Sequence, residues 1–392
     1  MESTITAMQA AKGTREPGGV LACVLLAMVA MAGPLYIDIM PSIVAALRAE
    51  FGLSATQAGF VAAANGYGST AGALLALFVV PRLPWGLLAT ALLLALAAAD
   101  VATTAARSYE ALIGLRAVHG IVGGLLVGLA YSLIAQLRDP RQGFGILFVF
   151  HFGFGGIGVL VSVFLAPLMS HGIVFLILAA FDLLALFVVP LLPAFTQPGR
   201  SARAARAIDR PRGSGLARIA GLFLFQAANL GLGAFLIGLG ADLGHAPAFA
   251  SFAVGLGLGA GTLGAIAMLR LSGAFGWRPM IPVMLAAGLS KVLVGIGHDP
   301  VVFAVAVSAI FLTMAMALPY AFALCAAGDA SGRSSVLAGF ASKLGLSTGP
   351  AIGGLLYPLG PQVLIGAAIV TVAAATILFG LSLRGPLHHQ RA

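Results

Sequence analysis

Charge is what this chain has least of. Of its 392 residues, 21 are Lys or Arg and 12 are Asp or Glu, so 8% are charged, against about 25% in soluble domains. A water-facing surface cannot be built from so little. Cysteine is nearly absent too: Cys23 and Cys325 both sit in apolar runs, which argues against a disulfide framework or a thiolate metal site and reads as two buried, inert thiols. The chain has no H-E-x-x-H, no Asp-rich pair and no Ser-His-Asp candidate, so the residues expected of an integral-membrane transferase are missing. Its 11 methionines include Met280 and Met284, four apart, but no His-Met or Cys-rich cluster, and no metal is expected. No cofactor is expected either, because GLGLGAG from Gly255 lies in an apolar run with no preceding strand and no acidic residue after it.

What is abundant is apolar length: 60% of the residues are hydrophobic. Runs of 20 or more mostly apolar residues span a bilayer as helices, and Gly, Pro and charge divide the chain into twelve of them. Six cover 20–46, 55–80, 85–106, 109–137, 142–169 and 172–192; six more cover 217–241, 247–270, 279–297, 300–327, 334–357 and 361–383. The first run continues to about Ala46 without a small-residue cleavage site and reads as a retained helix. The expected class is an all-α integral membrane protein. Residues 1–192 and 217–392 form two six-helix bundles, joined by a basic linker over 193–216 that contains PGRSARAARAIDRPRGSG.

The net charge of +9 does not point to nucleic acid, since the bases are scattered over short loops with no aromatic-basic face. They follow the positive-inside rule instead. With the N-terminus in the cytoplasm, sixteen of the 21 basic residues fall on the cytoplasmic side, and only Arg48 and Arg107 face outward. Arg116, Lys291 and Lys343 lie within the membrane runs. Both termini are then cytoplasmic, and a multi-pass protein of a bacterial-type inner (plasma) membrane, monomeric in the bilayer, is expected.

The halves repeat one another. HFGFGGIG from His151 matches KLGLSTGP from Lys343; His151 precedes Pro167 by 16 residues, and Lys343 precedes Pro358 by 15. This correspondence suggests a pseudo-twofold axis along the membrane normal, an arrangement used by transporters. The spacings of Gly124 and Gly128, Gly255 and Gly259, Gly257 and Gly261, and Gly345, Gly349 and Gly353 are those of closely packed membrane helices.

Several motifs carry a family resemblance over nearly the whole chain. PLYIDIMPSIVAALRAEFGLSATQAG from Pro34, LRAVHGIVGG from Leu115 and FGFGGIG from Phe152 resemble the first helix and outer loop, the helix 4 motif and the Gly-rich helix 5 motif of the major facilitator superfamily. The chain departs from that pattern between the second and third runs, where an Asp-Arg-x-Gly-Arg-Arg signature is reduced to PRLPWG and keeps only Arg82. The repeat copy, LRLSGAFGWRP from Leu269, keeps more of it. The Gly-Pro pair usual in helix 5 appears instead at Gly349 and Pro350. The resemblance implies that the first, fourth, seventh and tenth helices face a central cavity and that the Arg of the helix 4 motif serves proton coupling.

Ionisable groups at bilayer depth are costly and mark solute or proton paths. In the resembled fold Asp38 and Arg116 reach similar depth and are expected to meet, either as a proton-coupling pair in which Asp38 takes the proton or as a structural ion pair. Lys343 and His151, matched by the repeat, are expected on opposite cavity walls as a clamp for an anion. Helix 11 Lys usage also resembles the oxalate-formate exchanger branch. Gln226 and Asn229, three apart and so on one face, and Tyr320 are expected to bond a polar solute or neighbouring helices. His119 reads as a packing histidine or a proton relay. Lys291, Asp100 and Asp182 fall on supporting helices; Lys291 is expected to snorkel outward, and Asp182 has no evident partner.

The leading expectation is a proton-coupled secondary transporter of a small organic solute, an organic anion first. A broad-specificity drug or metabolite efflux antiporter is the alternative. A non-transporting membrane sensor on the same scaffold, or a membrane transferase, is a remote third reading.

Overall fold

In hydrocarbon a backbone N–H or C=O has no water to bond, so an apolar run must coil and satisfy itself. The computed structural model describes residues 19–137, 140–165, 172–195, 214–275, 278–326 and 333–383. Among these residues all regular structure is helical. Most of the linker expected at 193–216 lies outside the described residues, as do the side chains of 269–277 in the repeat copy of the loop signature.

The first half comprises α1 (Val20–Met31), α2 (Leu35–Asp38), α3 (Met40–Ala49), α4 (Ala55–Val79), α5 (Trp85–Thr104), α6 (Tyr109–Ile134), α7 (Pro140–Leu165) and α8 (Ile173–Val188). The second comprises α9 (Ser214–Gly233), α10 (Leu236–Asp242), α11 (Pro247–Phe275), α12 (Met280–Gly295), α13 (Pro300–Ala326), α14 (Arg333–Leu356) and α15 (Pro361–Leu383). Nine of these helices are long and apolar enough to cross a membrane, and α1, α3 and α12 are shorter apolar helices.

Ten of the twelve expected spans are single helices. The first and the seventh are broken. Pro34 and Pro41 lack the N–H that would continue α1, so the first span is split into α1, α2 and α3. The seventh breaks after Gly233 into α9 and α10. Elsewhere the ends are conventional. Ser54 and Gln57 form a reciprocal capping box at the start of α4, and Gly172 and Gly360 take positive φ at the turns before α8 and α15.

Packing exposes the repeat. In the first half α4 lies on α6, α5 on α8 and α1 on α7; in the second, α11 lies on α13, α12 on α15 and α9 on α14. Numbered as spans, pairs 2–4, 3–6 and 1–5 recur as 8–10, 9–12 and 7–11. The halves meet through α4 with α14 and α7 with α11, which are likewise equivalent under the pseudo-twofold.

Glycine makes these approaches possible. A Cβ at Gly124 would lie 2.1 Å from the Ser69 carbonyl oxygen, and Cβ atoms at Gly345, Gly349 and Gly353 would lie 2.4–2.5 Å from carbonyl oxygens of α9. Apart from Gly259, which has nothing within 4 Å of where its Cβ would lie, the spaced glycines are packing surfaces.

Contacts across the α4/α14 seam run from the 50–54 turn inward. Thr56 Oγ1 donates to the Gly354 carbonyl at 2.8 Å, and Tyr67 and Thr348 hydroxyls are 3.0 Å apart. Beyond Ser69 the α4 side chains Leu74, Leu75, Leu77 and Phe78 are exposed. The Arg48 guanidinium lies 4.6 Å over the Tyr357 ring, whose hydroxyl donates to Asp242 Oδ2 at 2.5 Å. Arg48 belongs to one half and the other two to the second, so the halves are latched at this end. Arg48→Ala is expected to raise maleimide labelling of a cysteine placed at Thr56 several-fold in membranes. Unchanged labelling would show that Arg48 does not hold this end shut.

Candidate functional site

The broken helices and the glycines of α7 together build a central cavity. A Cβ at Gly155 would lie 2.9 Å from Asp38 Cβ, and one at Gly158 would lie 2.6 Å from Ile39 Cγ2, so α7 can press against the α2/α3 break. On its other side Gly156 faces the Gly255 carbonyl of α11. The FGFGGIG motif therefore serves two packing faces at once and brings His151 to the seam.

The cavity has a volume of about 60 Å³, room for only a few waters. Asp38 and His151 from the first half and Gln226 and Asn229 from the second line it, among apolar walls that include Phe152, Phe311 and Met314. Asp38 is 7% exposed, and its Oδ2 lies 3.0 Å from His151 Nδ1. The His151 side chain is 30% exposed. Gln226 Nε2 donates to Ser342 Oγ at 2.8 Å, while its buried Oε1 accepts no hydrogen bond. An unsatisfied acceptor at a cavity wall is a place for a solute donor.

Lys343 stands beside this group without lining the cavity. Its Nζ reaches across the seam to Ser69 Oγ at 3.3 Å, and its charge acts on His151. Lys343 is expected on the cavity wall opposite His151; it lies outside the lining, and the charged group 3.0 Å from His151 is Asp38.

Three expectations need correcting. Asp38 and Arg116 do not meet. Arg116 is fully buried, with Nη1 2.7 Å from Asp100 Oδ1 and Nη2 donating to the Ala99 carbonyl at 2.9 Å and to Thr103 Oγ1. Its guanidinium also lies over the Tyr36 and Phe175 rings. The 105–108 turn sets Asp100 and Arg116 level on antiparallel neighbours, so the nearest carboxylate is one helix away from the cavity. That spacing was a usable signal.

Lys291 does not snorkel. It is 0% exposed, and its Nζ donates to Asn229 Oδ1 at 2.9 Å and to the Ala287 carbonyl at 3.1 Å. Both of these acceptors are neutral oxygens. Because an ammonium only donates, it fixes the Asn229 amide with oxygen toward α12 and Nδ2 on the Phe225 carbonyl, 2.8 Å away. A supporting helix thus sets the orientation of a cavity residue.

Tyr320 is absent from the cavity wall and packs with Leu222, Phe225 and Leu324. Two residues beyond Leu318, which does line the cavity, it points about 200° around the helix. His119 is 1% exposed: Nδ1 is 2.7 Å from Asn65 Nδ2 and Nε2 is 3.4 Å from Asp100 Oδ1. Asn65 can only donate there, so the proton sits on Nε2 and the ring is satisfied. Met280 and Met284 are core residues, and Cys23 and Cys325 are both buried.

No protein-family profile and no curated protein matches the chain. Solved structures do. The nucleoside transporter NupG superposes with a TM-score of 0.71 at 14% identity, covering 94% of this chain and 99% of that one. Its D323A mutant gives 0.69 at 14% identity over 93% and 98%. A D-xylose-proton symporter gives 0.72 at 16% identity over 92% and 97%. The chain has their fold.

Lys291→Met is expected to lower the thermal unfolding midpoint of the purified protein, since a buried Asn229 oxygen left without its donor costs about 1–3 kcal/mol. Adding Asn229→Leu should recover much of the loss. Additive losses in the double variant would show that Lys291 stabilises through something other than Asn229.

Proposed function

We propose that the protein is a proton-coupled secondary transporter of the major facilitator superfamily, and that its solute is a small organic anion. The observation that carries this reading is the cavity at the seam of two latched halves, lined by a buried carboxylate–imidazole pair from one half and amides from the other. The fold shared with a nucleoside transporter and a D-xylose-proton symporter supports polar-solute transport with proton coupling. Rocking of the halves, residues 1–192 and 217–392, would expose the cavity first at one membrane face and then at the other. The distribution of basic residues supports a bacterial-type inner membrane with both termini in the cytoplasm. A monomer contains the whole cavity.

Charge around the cavity favours an anion. Lys343 beside His151 and Lys291 behind Asn229 are two cations against the single carboxylate of Asp38. Asp38 is the proton carrier. Ionised, it holds His151; protonated, it releases the ring, which then turns a donor toward solute together with Lys343. The Gln226 oxygen and the free Asn229 N–H orient the polar remainder. The apolar walls, Phe152, Phe311 and Met314, support the second reading, efflux of a lipophilic solute by proton antiport.

The test uses purified protein in vesicles with an imposed pH gradient and a panel of carboxylates set against lipophilic cations. Uphill accumulation of a carboxylate is expected. Asp38→Asn should abolish accumulation driven by the gradient while leaving solute exchange, and Lys343→Met should weaken carboxylate affinity about tenfold or more, the size of a lost charge-assisted hydrogen bond. Accumulation that stays proton-driven in Asp38→Asn removes Asp38 from coupling. Preference for lipophilic cations selects the antiporter.

A further inference from the structure

We infer that Asp100 and Asp182 share one proton, forming a proton-binding site inside the first half that is separate from the cavity. Both side chains are sealed where α5 packs on α8, at 0% and 2% exposure. The Asp182 carboxyl lies within hydrogen-bonding reach of the Asp100 carboxyl. Yet Oδ2 of each has no donor. Two carboxylates cannot hydrogen-bond to each other, because both only accept. One proton between them turns one acid into a donor and satisfies the contact.

Among the described residues no neighbouring donor reaches Oδ2 of either acid, although Arg116 Nε and the Tyr36 hydroxyl are themselves without acceptors. From α6, Arg116 spends Nη1 on Asp100 Oδ1 and Nη2 on Ala99 and Thr103. His119 on the same helix accepts from Asn65 and directs its one N–H to Asp100 Oδ1. From α2, the Tyr36 ring stacks on Arg116 and His119, and its hydroxyl makes no hydrogen bond. Of the other helices packed on α8, α1 brings Cys23 as its titratable group, α3 brings Arg48, which is held at Tyr357, and α7 brings His151, which is held by Asp38.

Charge gives the same answer. Arg116 neutralises one carboxylate, so a second ionised carboxyl in contact with the first would leave a net negative charge buried at membrane depth. With the proton in place the cluster is neutral. The site does not depend on the identity of the transported solute.

The proton itself is the probe. Infrared spectra of the full chain in lipid vesicles at neutral pH should contain a protonated-carboxyl C=O band that persists in Asp38→Asn and is lost in Asp182→Asn. The amide in that variant can donate to Asp100 as the acid did, so the fold should survive. In a parallel measurement the wild-type unfolding midpoint should fall as pH is raised above neutral, because the folded state holds a proton that the unfolded chain has released. The same profile should be flatter for Asp182→Asn. No carboxylic acid band beyond that of Asp38 would overturn the proposal. If Asp182→Asn does not fold, the band in Asp38→Asn protein still decides it, since its absence leaves both carboxyls ionised.

Discussion

A bilayer offers no water to a polar group, and almost every structural feature of this protein answers that constraint. Backbone groups are satisfied by coiling, which makes the chain helical and confines irregular backbone to breaks inside the protein. Side chains have the harder problem. Arg116 is held by Asp100, Thr103 and a carbonyl, and Lys291 by an amide and a carbonyl. Each such arrangement ties two or more helices together and fixes their rotation. The polar residues therefore specify which helix faces meet, while the apolar majority supplies the packing.

The two halves use this constraint differently. In the first, the interior polar groups gather where α4, α5, α6 and α8 meet, around Asp100. In the second, the buried ammonium of Lys291 props an amide on the cavity wall. Between them lies a seam made thin by glycine, so that backbones of different halves can touch and slide. Asp38 and His151 are the ionisable pair at the cavity itself. The partner of Asp38 is 30% exposed, whereas the cluster around Arg116 is sealed from both membrane faces and from the cavity.

Much of the architecture was legible. Long apolar runs separated by Gly, Pro and charge marked the helices, the His151 and Lys343 motifs disclosed the repeat, and the small-residue spacings marked close helix contacts. The site was legible in part. Asp38, His151, Gln226 and Asn229 line one cavity, because intramembrane polar residues are too costly to place idly. The Arg116 pairing was not legible, because depth alone does not say which neighbour a long side chain faces. The Lys291 contact was not legible either, because its acceptor is 62 residues away on another helix.

From the sequence alone come the helical class, the number and approximate length of the spans and the inventory of buried ionisable groups. Hydrophobic transfer and backbone satisfaction are local, and they act on each run separately. Pairing was decided only by tertiary structure: Arg116 with Asp100, Asp38 with His151, Lys291 with Asn229, and Asp182 against Asp100. Those choices depend on the rotation of each helix about its axis. That rotation is set by the collective packing of glycine faces across two halves.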